Sequence, residues 1–249
     1  MRPTLLSLLS LLALLALAPA AHALSVDELV AKNLEARGGV EAIRAIQSLK
    51  STGKMNFSGG DFSVDLGMTT YSERGNKLRS EATIQGLTQV QAYDGKDGWM
   101  INPFQGRRDP ERMSAEDVKG METQADIDGP LVDWKAKGHQ VEYLGTEDVD
   151  GTMAHKLKVS LKNGDIEYRY LDPDYFLEIL IVSQMKRRGV ESEMVTELGN
   201  YEKVAGVYVP FAQESGPKGR PRGQKITFEK IEANVEIDDA LYAFPQAAK

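Results

Sequence analysis

The spacing of apolar and polar positions changes character twice along this chain. It begins with a Leu/Ala-rich run from Leu5 to Ala18, ended by Pro19 and followed by Ala21-His22-Ala23. That run is shorter than the ~20 residues that span a bilayer, and the small-x-small triplet is what signal peptidase cuts. Residues 1–23 are therefore expected to be a cleaved export signal. A helical period follows. Ser25 and Glu28 have the spacing of a capping box, Val26, Leu29, Val30 and Leu34 fall on one face, and Gly38-Gly39 stops the helix. Val40, Ile43 and Ile46 predict a second, short helix.

From Leu49 the period becomes two. Phe62, Val64, Leu66 and Met68 alternate with Ser63, Asp65, Gly67 and Thr69. Leu78, Ser80, Ala82 and Ile84 alternate with charged or hydroxylated neighbours, as do Leu157, Val159 and Leu161. These are half-buried antiparallel strands, apolar inside and polar outside. Turn signals separate them at Gly59-Gly60, Gly75-Asn76, Asp94-Gly95, Asp150-Gly151, Asn163-Gly164, Asp172-Pro173 and Gly206. The reading is mainly β, with about eleven strands joined mostly in sequence as a meander.

One interval, about 103–138, breaks the alternation. It holds Pro103, Pro110 and Pro130, a helix start at Ser114 and Asp117, and apolar clusters at Val118, Met121, Leu131, Val132 and Trp134. A long interruption with apolar content predicts a lid or plug over the strands. Residues 24–249 are otherwise read as a single domain, closed by a short helix near Asp238–Tyr242.

A sheet of eleven strands at ~4.8 Å spacing is about 50 Å wide, and its apolar face exceeds what two helices ~10 Å across can cover. Such a sheet must curl. Its inward positions include the small residues Ser51, Gly53, Ser80 and Ala82 beside Met55 and Met68, which leaves room for a hollow apolar groove. The alternative is that helices and inward side chains pack the interior solid.

Several local sequences then resemble a known family. Val26-Asp27-Glu28-Leu29-Val30-Ala31-Lys32-Asn33 with Ala36-Arg37-Gly38-Gly39 is similar to the start of the outer-membrane lipoprotein-sorting, LolA-like proteins. So are Tyr93-Asp94-Gly95, Gly98-Trp99, Asp128-Gly129-Pro130-Leu131-Val132-Asp133 and Asp239-Ala240-Leu241-Tyr242. The chain most resembles a poorly characterised branch sharing the LolA/LolB-like fold. The resemblance implies an incomplete, strongly curved antiparallel β-barrel with helices plugging its concave apolar face. It also implies a periplasmic role in binding lipid or acylated protein. In the best-known carrier of that family a loop arginine helps hold the lid shut. No arginine matches it residue by residue, and Arg107 and Arg108 lie in the interrupted interval in a different context.

On this reading the groove and lid that bind lipid comprise Met55, Phe57, Phe62, Val64, Leu66, Met68 and Ile84 from the strands. Trp99, Met100, Phe104, Met113, Met121, Leu131 and Trp134 join them at the lid; these seven either line the mouth or form a small core beneath a loop. Lys218, Arg220 and Arg222 form a basic loop that either steers docking to a headgroup or partner, or is a solvated hairpin tip.

Charge narrows the partners. The chain has 249 residues and a net charge of −7, which disfavours nucleic acid and standing attachment to anionic lipid, leaving transient membrane contact. There is no Cys, hence no disulfide and no lipid tether through one. Only His139 and His155 remain beyond the leader, without metal-ligand spacing, and no nucleophile elbow or phosphate-cradling loop is present. Asp126-Ile127-Asp128-Gly129 and Asp148-Val149-Asp150-Gly151 are faintly like calcium loops but lack the downstream acid. No catalytic residue, metal or cofactor is expected. The function read from the chain is a periplasmic carrier or chaperone that shuttles a lipid or lipid-modified protein from an inner-membrane exporter to an outer-membrane acceptor. The alternative is a periplasmic sensor of the same fold that signals envelope stress to a membrane partner.

Overall fold

The computed structural model describes residues 24–187 and 189–245; the expected leader lies outside them. Thirteen strands form one antiparallel sheet. β1 (Ser48–Gly59), β2 (Phe62–Glu73), β3 (Lys77–Ile84), β4 (Leu87–Tyr93), β5 (Gly98–Asn102) and β6 (Arg107–Arg112) make one half. β7 (Gln140–Val149), β8 (Thr152–Ser160), β9 (Ile166–Leu171), β10 (Glu178–Arg187), β11 (Val190–Val204), β12 (Val207–Pro217) and β13 (Gln224–Ala233) make the other. The spatial order runs from β6 back to β1, across to β13, and back from β13 to β7. The sheet is strongly curved but open, because β6 and β7 are its two edges and do not pair. The expected architecture holds, with thirteen strands where the alternation suggested about eleven.

The two halves meet only where β1 pairs with β13. The ladder shifts register between Thr52 and Gly53. At that irregularity the backbones approach so closely that a Cβ on Gly53 would lie 2.2 Å from the Thr227 carbonyl oxygen and 2.8 Å from the Phe228 Cα. Only the missing side chain permits the approach.

Three helices occupy the concave side. α1 (Val26–Ala36) starts with the predicted capping box: Glu28 N–H donates to Ser25 Oγ at 3.2 Å, and Ser25 N–H to Glu28 Oε2 at 2.7 Å. It buries Leu29, Val30 and Leu34. With Ile43 of α2 (Val40–Ala45) and Ile46, these pack on Val141, Leu157, Val159, Leu171 and Val207 of the sheet. The α1 end is docked to the sheet, since Tyr208 N–H donates to the Arg37 carbonyl at 2.7 Å. α3 (Ala115–Ala125), capped by Ser114, packs Met121 and Ala125 on Leu78 and Tyr93.

The interrupted interval is the crossover between the two sheet edges. It is not wholly a lid, for Pro103–Gln105 forms a 3₁₀ turn and the next residues form β6, an edge strand without apolar alternation. Beyond α3 the chain dives inward, and Leu131 and Val132 are buried beneath α1 and α2.

Arg74, at the β2–β3 turn, fastens this plug. Its guanidinium forks onto Asp128 at 2.9 and 2.8 Å and donates to the Ile43 and Ile46 carbonyls at 2.9 and 2.7 Å. The Asp128 bond raises the Arg74 pKa above its ordinary value. One side chain thus joins the sheet, the end of α2 and the crossover.

Two outcomes are expected. Gly53→Ala should lower the denaturant midpoint by an amount equivalent to about 2 kcal/mol or more, because the new methyl meets immovable backbone. Gly59→Ala, with nothing within 4 Å of its Cβ, is the matched control and should change little. Arg74→Ala should cost about 2–4 kcal/mol through loss of partly buried, charge-assisted bonds. Its hydrogen exchange should rise in α2 and around Asp128 before it rises in β1 and β13.

Candidate functional site

The same register that builds the sheet places one set of side chains on its concave face. Phe57 pairs with Val64, Met55 with Leu66 and Gly53 with Met68 between β1 and β2; Met68 pairs in turn with Ala82, and Ala82 with Gln89. Directly paired residues point to the same face, so this face is apolar or small over β1, β2 and β3, and β4 adds Gln89. Since Ser80 and Ala82 project little, a chamber of about 560 Å³ remains, lined by Met55, Phe57, Phe62, Val64, Leu66 and Ile84. Phe104, from the 3₁₀ turn after β5, and the polar Gln89, Gln91 and Gln224 complete it. That volume is within the usual ~300–1,000 Å³ of small-molecule sites.

The chamber opens at the end of the sheet bearing the β1–β2 and β3–β4 turns. Phe62 is 62% exposed there, with Phe57, Leu87 and Phe104 also exposed. Large apolar side chains gathered at a mouth, and turned to water, mark a surface that gains from being covered.

The other sequence-predicted residues have different surroundings. Met68 is buried on the same face beyond Leu66. Met100 pairs with Gln91 and shares its face without lining the chamber. Met113 and Met121 pack with Leu78 and Tyr93 beneath α3, and Leu131 and Trp134 belong to the core beneath α1 and α2. Trp99 departs most from expectation. It pairs with Ala92, on the outer face, where it is only 3% exposed, donates from Nε1 to the Tyr242 carbonyl at 2.8 Å and meets Phe244 edge-on. The chain's tail covers it, so it is a core residue of the outer face.

The basic loop is held by acids of β11. Lys218 pairs with Glu193 at 2.7 Å and Arg222 with Glu197 at 2.5 Å, while Arg220 is exposed. Asp126 and Asp128 each face a cation, Lys137 at 2.6 Å and Arg74 at 2.8 Å, so the first loop with a calcium-like sequence is a pair of ion pairs. The Asp148 carboxylate accepts from Gly151 N–H in an ordinary turn. Among the described residues no cluster of His, Cys, Asp or Glu is placed to hold a metal, and no helix is long and apolar enough to cross a membrane.

Sequence reasoning missed a second, polar stretch of the interior. A cavity of about 410 Å³ lies between α3 and strands β9–β13, and Gln224 lines both it and the apolar chamber. Deep in this half, Arg169 donates to Glu167 at 2.9 and 2.7 Å and also to Glu178. Burial pushes the Glu178 carboxyl up, but Arg169 and Arg37 outweigh it and hold the group below its ordinary value. The Tyr201 hydroxyl, raised by burial, donates to the Glu178 carbonyl at 2.7 Å. A third cavity of about 380 Å³ lies by the crossover and includes Lys137, His139 and Lys162 in its walls. The signal for the polar stretch was a run of inward positions occupied by Thr196, Gln213 and Ser215, which an apolar pattern cannot mark.

No family model matches this chain, and no curated protein does. Solved structures do. A LolA superfamily protein from Nitrosomonas europaea superposes with a TM-score of 0.61 at 11% identity, over 89% of this chain and 98% of that one. A DUF1329 family protein from Desulfovibrio piger gives 0.60 at 14% identity, over 88% and 97%. A protein domain from Vibrio parahaemolyticus, described as outer membrane lipoprotein-sorting, gives 0.56 at 13% identity, over 86% and 97%. At these identities the agreement is one of architecture. The chain has the LolA-like fold, an open, strongly curved antiparallel β-barrel wrapped around its own helices.

Proposed function

We propose that this protein is a periplasmic carrier that takes the acyl chain of a lipid, or of a lipid-modified protein, into the chamber of β1–β4 and releases it at another membrane. The observation that carries this reading is the 560 Å³ apolar chamber with exposed aromatic side chains at its mouth. An acyl chain is the ligand class that matches it, being long, flexible and without polar groups along its length. The leader-like N-terminus supports export, and the fold, shared with a lipoprotein-sorting domain, agrees with the assignment. An exporter that loads the protein and an acceptor that empties it belong to the same proposal.

Binding and release both follow from burial. A ~16-carbon chain at ~0.8 kcal/mol per methylene gains about 12 kcal/mol gross, too much for a shuttle unless something opposes it. The opposing element is α3, which packs on Leu78 and Tyr93 of the same strands whose next inward residues, Ser80 and Gln91, line the chamber. A cargo that displaces α3 binds with only the difference between the two burials.

The test is displacement of a fluorescent C16 fatty acid. Val64→Glu, which places a charge in the chamber, and Ala82→Trp, which fills it, should each weaken capture at least tenfold, equivalent to about 1.4 kcal/mol, with far-UV circular dichroism unchanged. Wild-type affinity in both variants would remove the chamber from the site. Trp134→Glu should instead lower thermal stability, since that ring packs in the core. A further expected outcome is faster hydrogen exchange across α3 in the fatty-acid complex; slower exchange there would show that α3 does not compete with cargo.

A further inference from the structure

The second cavity, beside the apolar chamber, is walled by Leu161, Ile166, Met185 and Met194 as well as by polar side chains, and it is the polar ones that select among headgroups. Four hydroxyls face it, from Thr123, Ser183, Thr196 and Ser215, with the Thr196 and Ser215 oxygens 3.0 Å apart. The amides of Gln124 and Gln213 add donors and acceptors, and Gln224 stands where this cavity adjoins the apolar one. Two buried carboxylates, Asp165 and Glu167, also line it, but no Lys, Arg or His side chain does among the described residues.

Three nearby cations are committed. Lys119 bonds Asp165 at 3.1 Å, and Arg169 is divided between Glu167 and Glu178. Lys137, in the wall of the third cavity, bonds Asp126 and the Gly129 carbonyl. A phosphate or carboxylate entering here would lose its water beside two carboxylates with no cation among the described residues of the cavity wall, an arrangement that disfavours the charged form. An added ammonium would have to compete with Lys119 and Arg169 for acids they already hold. An uncharged group rich in hydroxyls meets neither obstacle and can donate to, or accept from, the hydroxyl and amide side chains of the wall.

We propose that the cavity between α3 and β9–β13 is a headgroup site for an uncharged, polyhydroxylated group, so that the cargo is an amphiphile of the glycolipid or acylglycerol class. This rests on the carrier reading, because the chain of the same molecule occupies the apolar chamber and Gln224 sits at the junction of head and tail. Selectivity follows from the rule that a site built to hydrogen-bond hydroxyls rejects analogues lacking them far more strongly than it distinguishes alkyl chains differing by one carbon.

The experiment compares C12 amphiphiles below their micelle thresholds by displacement of the same fluorescent fatty acid from the intact protein. Dodecyl maltoside is expected to bind at least tenfold more tightly than dodecyl phosphate or dodecyltrimethylammonium. Gln213→Leu and, separately, Thr196→Val should each weaken dodecyl maltoside about three- to tenfold while leaving 1-dodecanol unchanged, so that a folding defect, which would weaken both, is separated from loss of the headgroup site. Equal binding of the three amphiphiles, tighter binding of either charged one, or full maltoside affinity in both variants would overturn the headgroup assignment and leave the carrier reading standing. Failure of all the C12 compounds, 1-dodecanol included, to displace the probe would overturn both.

Discussion

Everything in this molecule depends on the pairing of its first strand with its last. β1 and β13 are far apart in the chain, yet their ladder alone fuses two meanders into one sheet wide enough to curve around an interior. Neither meander would enclose anything by itself. The seam is also where the backbones crowd, and a glycine is the only residue that lets the ladder pass through its irregularity at Gly53. A non-local pairing of this kind forms late and at an entropic cost, so the plug helices, which contact both halves, are needed to hold the halves together.

The curvature produces a trough, and the side chains divide it along its width. Under β1–β3 the inward residues are mostly apolar and Ser80 and Ala82 are small, which leaves a greasy hollow edged by Gln89 and Gln91 of β4. Under β9–β13 hydroxyls, amides and compensated acids stand among Ile166, Met185 and Met194. Between the ends lie helices that are fixed by different means. α1 and α2 are tied by backbone bonds and by the Arg74 fork, whereas α3 is held by side chains: Val118, Met121 and Ala125 pack with Met113 on Leu78 and Tyr93, beside the Lys119–Asp165 pair and the Asn163–Thr123 bond. On the carrier reading, this difference in fastening is what would let α3 yield to cargo while α1 and α2 stay in place.

Much of this was legible in the sequence, and what was not has physical causes. Alternation at Phe62–Met68, Leu78–Ile84 and Leu157–Leu161 identified inward faces correctly because polar neighbours occupied the other side. Gly98–Ile101 offered no such contrast. Trp99 and Met100 are both apolar, and only the tail bearing Tyr242 and Phe244 reveals that the outer face is covered too. β6 was invisible because its residues are charged apart from Pro110. Leu131 and Trp134 were recognised as part of a cover, but composition carries no information about whether a cover's apolar residues face cargo or core. Arg74 carried no signal in the sequence, since its partners Asp128 and the Ile43 and Ile46 carbonyls are brought near only by the fold. The polar cavity escaped for the reverse reason: pattern reading equates inward with apolar, and Thr196, Gln213 and Ser215 are inward and hydrophilic.

The two unpaired edges have a mechanical meaning. A cylinder of strands sealed all the way round can increase its girth only by snapping rungs of its ladder. Here β6 carries charges and a proline that discourage any neighbour from zipping onto it, and β7 stands opposite with only the crossover strung between them. The sheet therefore has a free margin on each side, and its girth is set by packing on the plug helices rather than by a closing rung of the ladder.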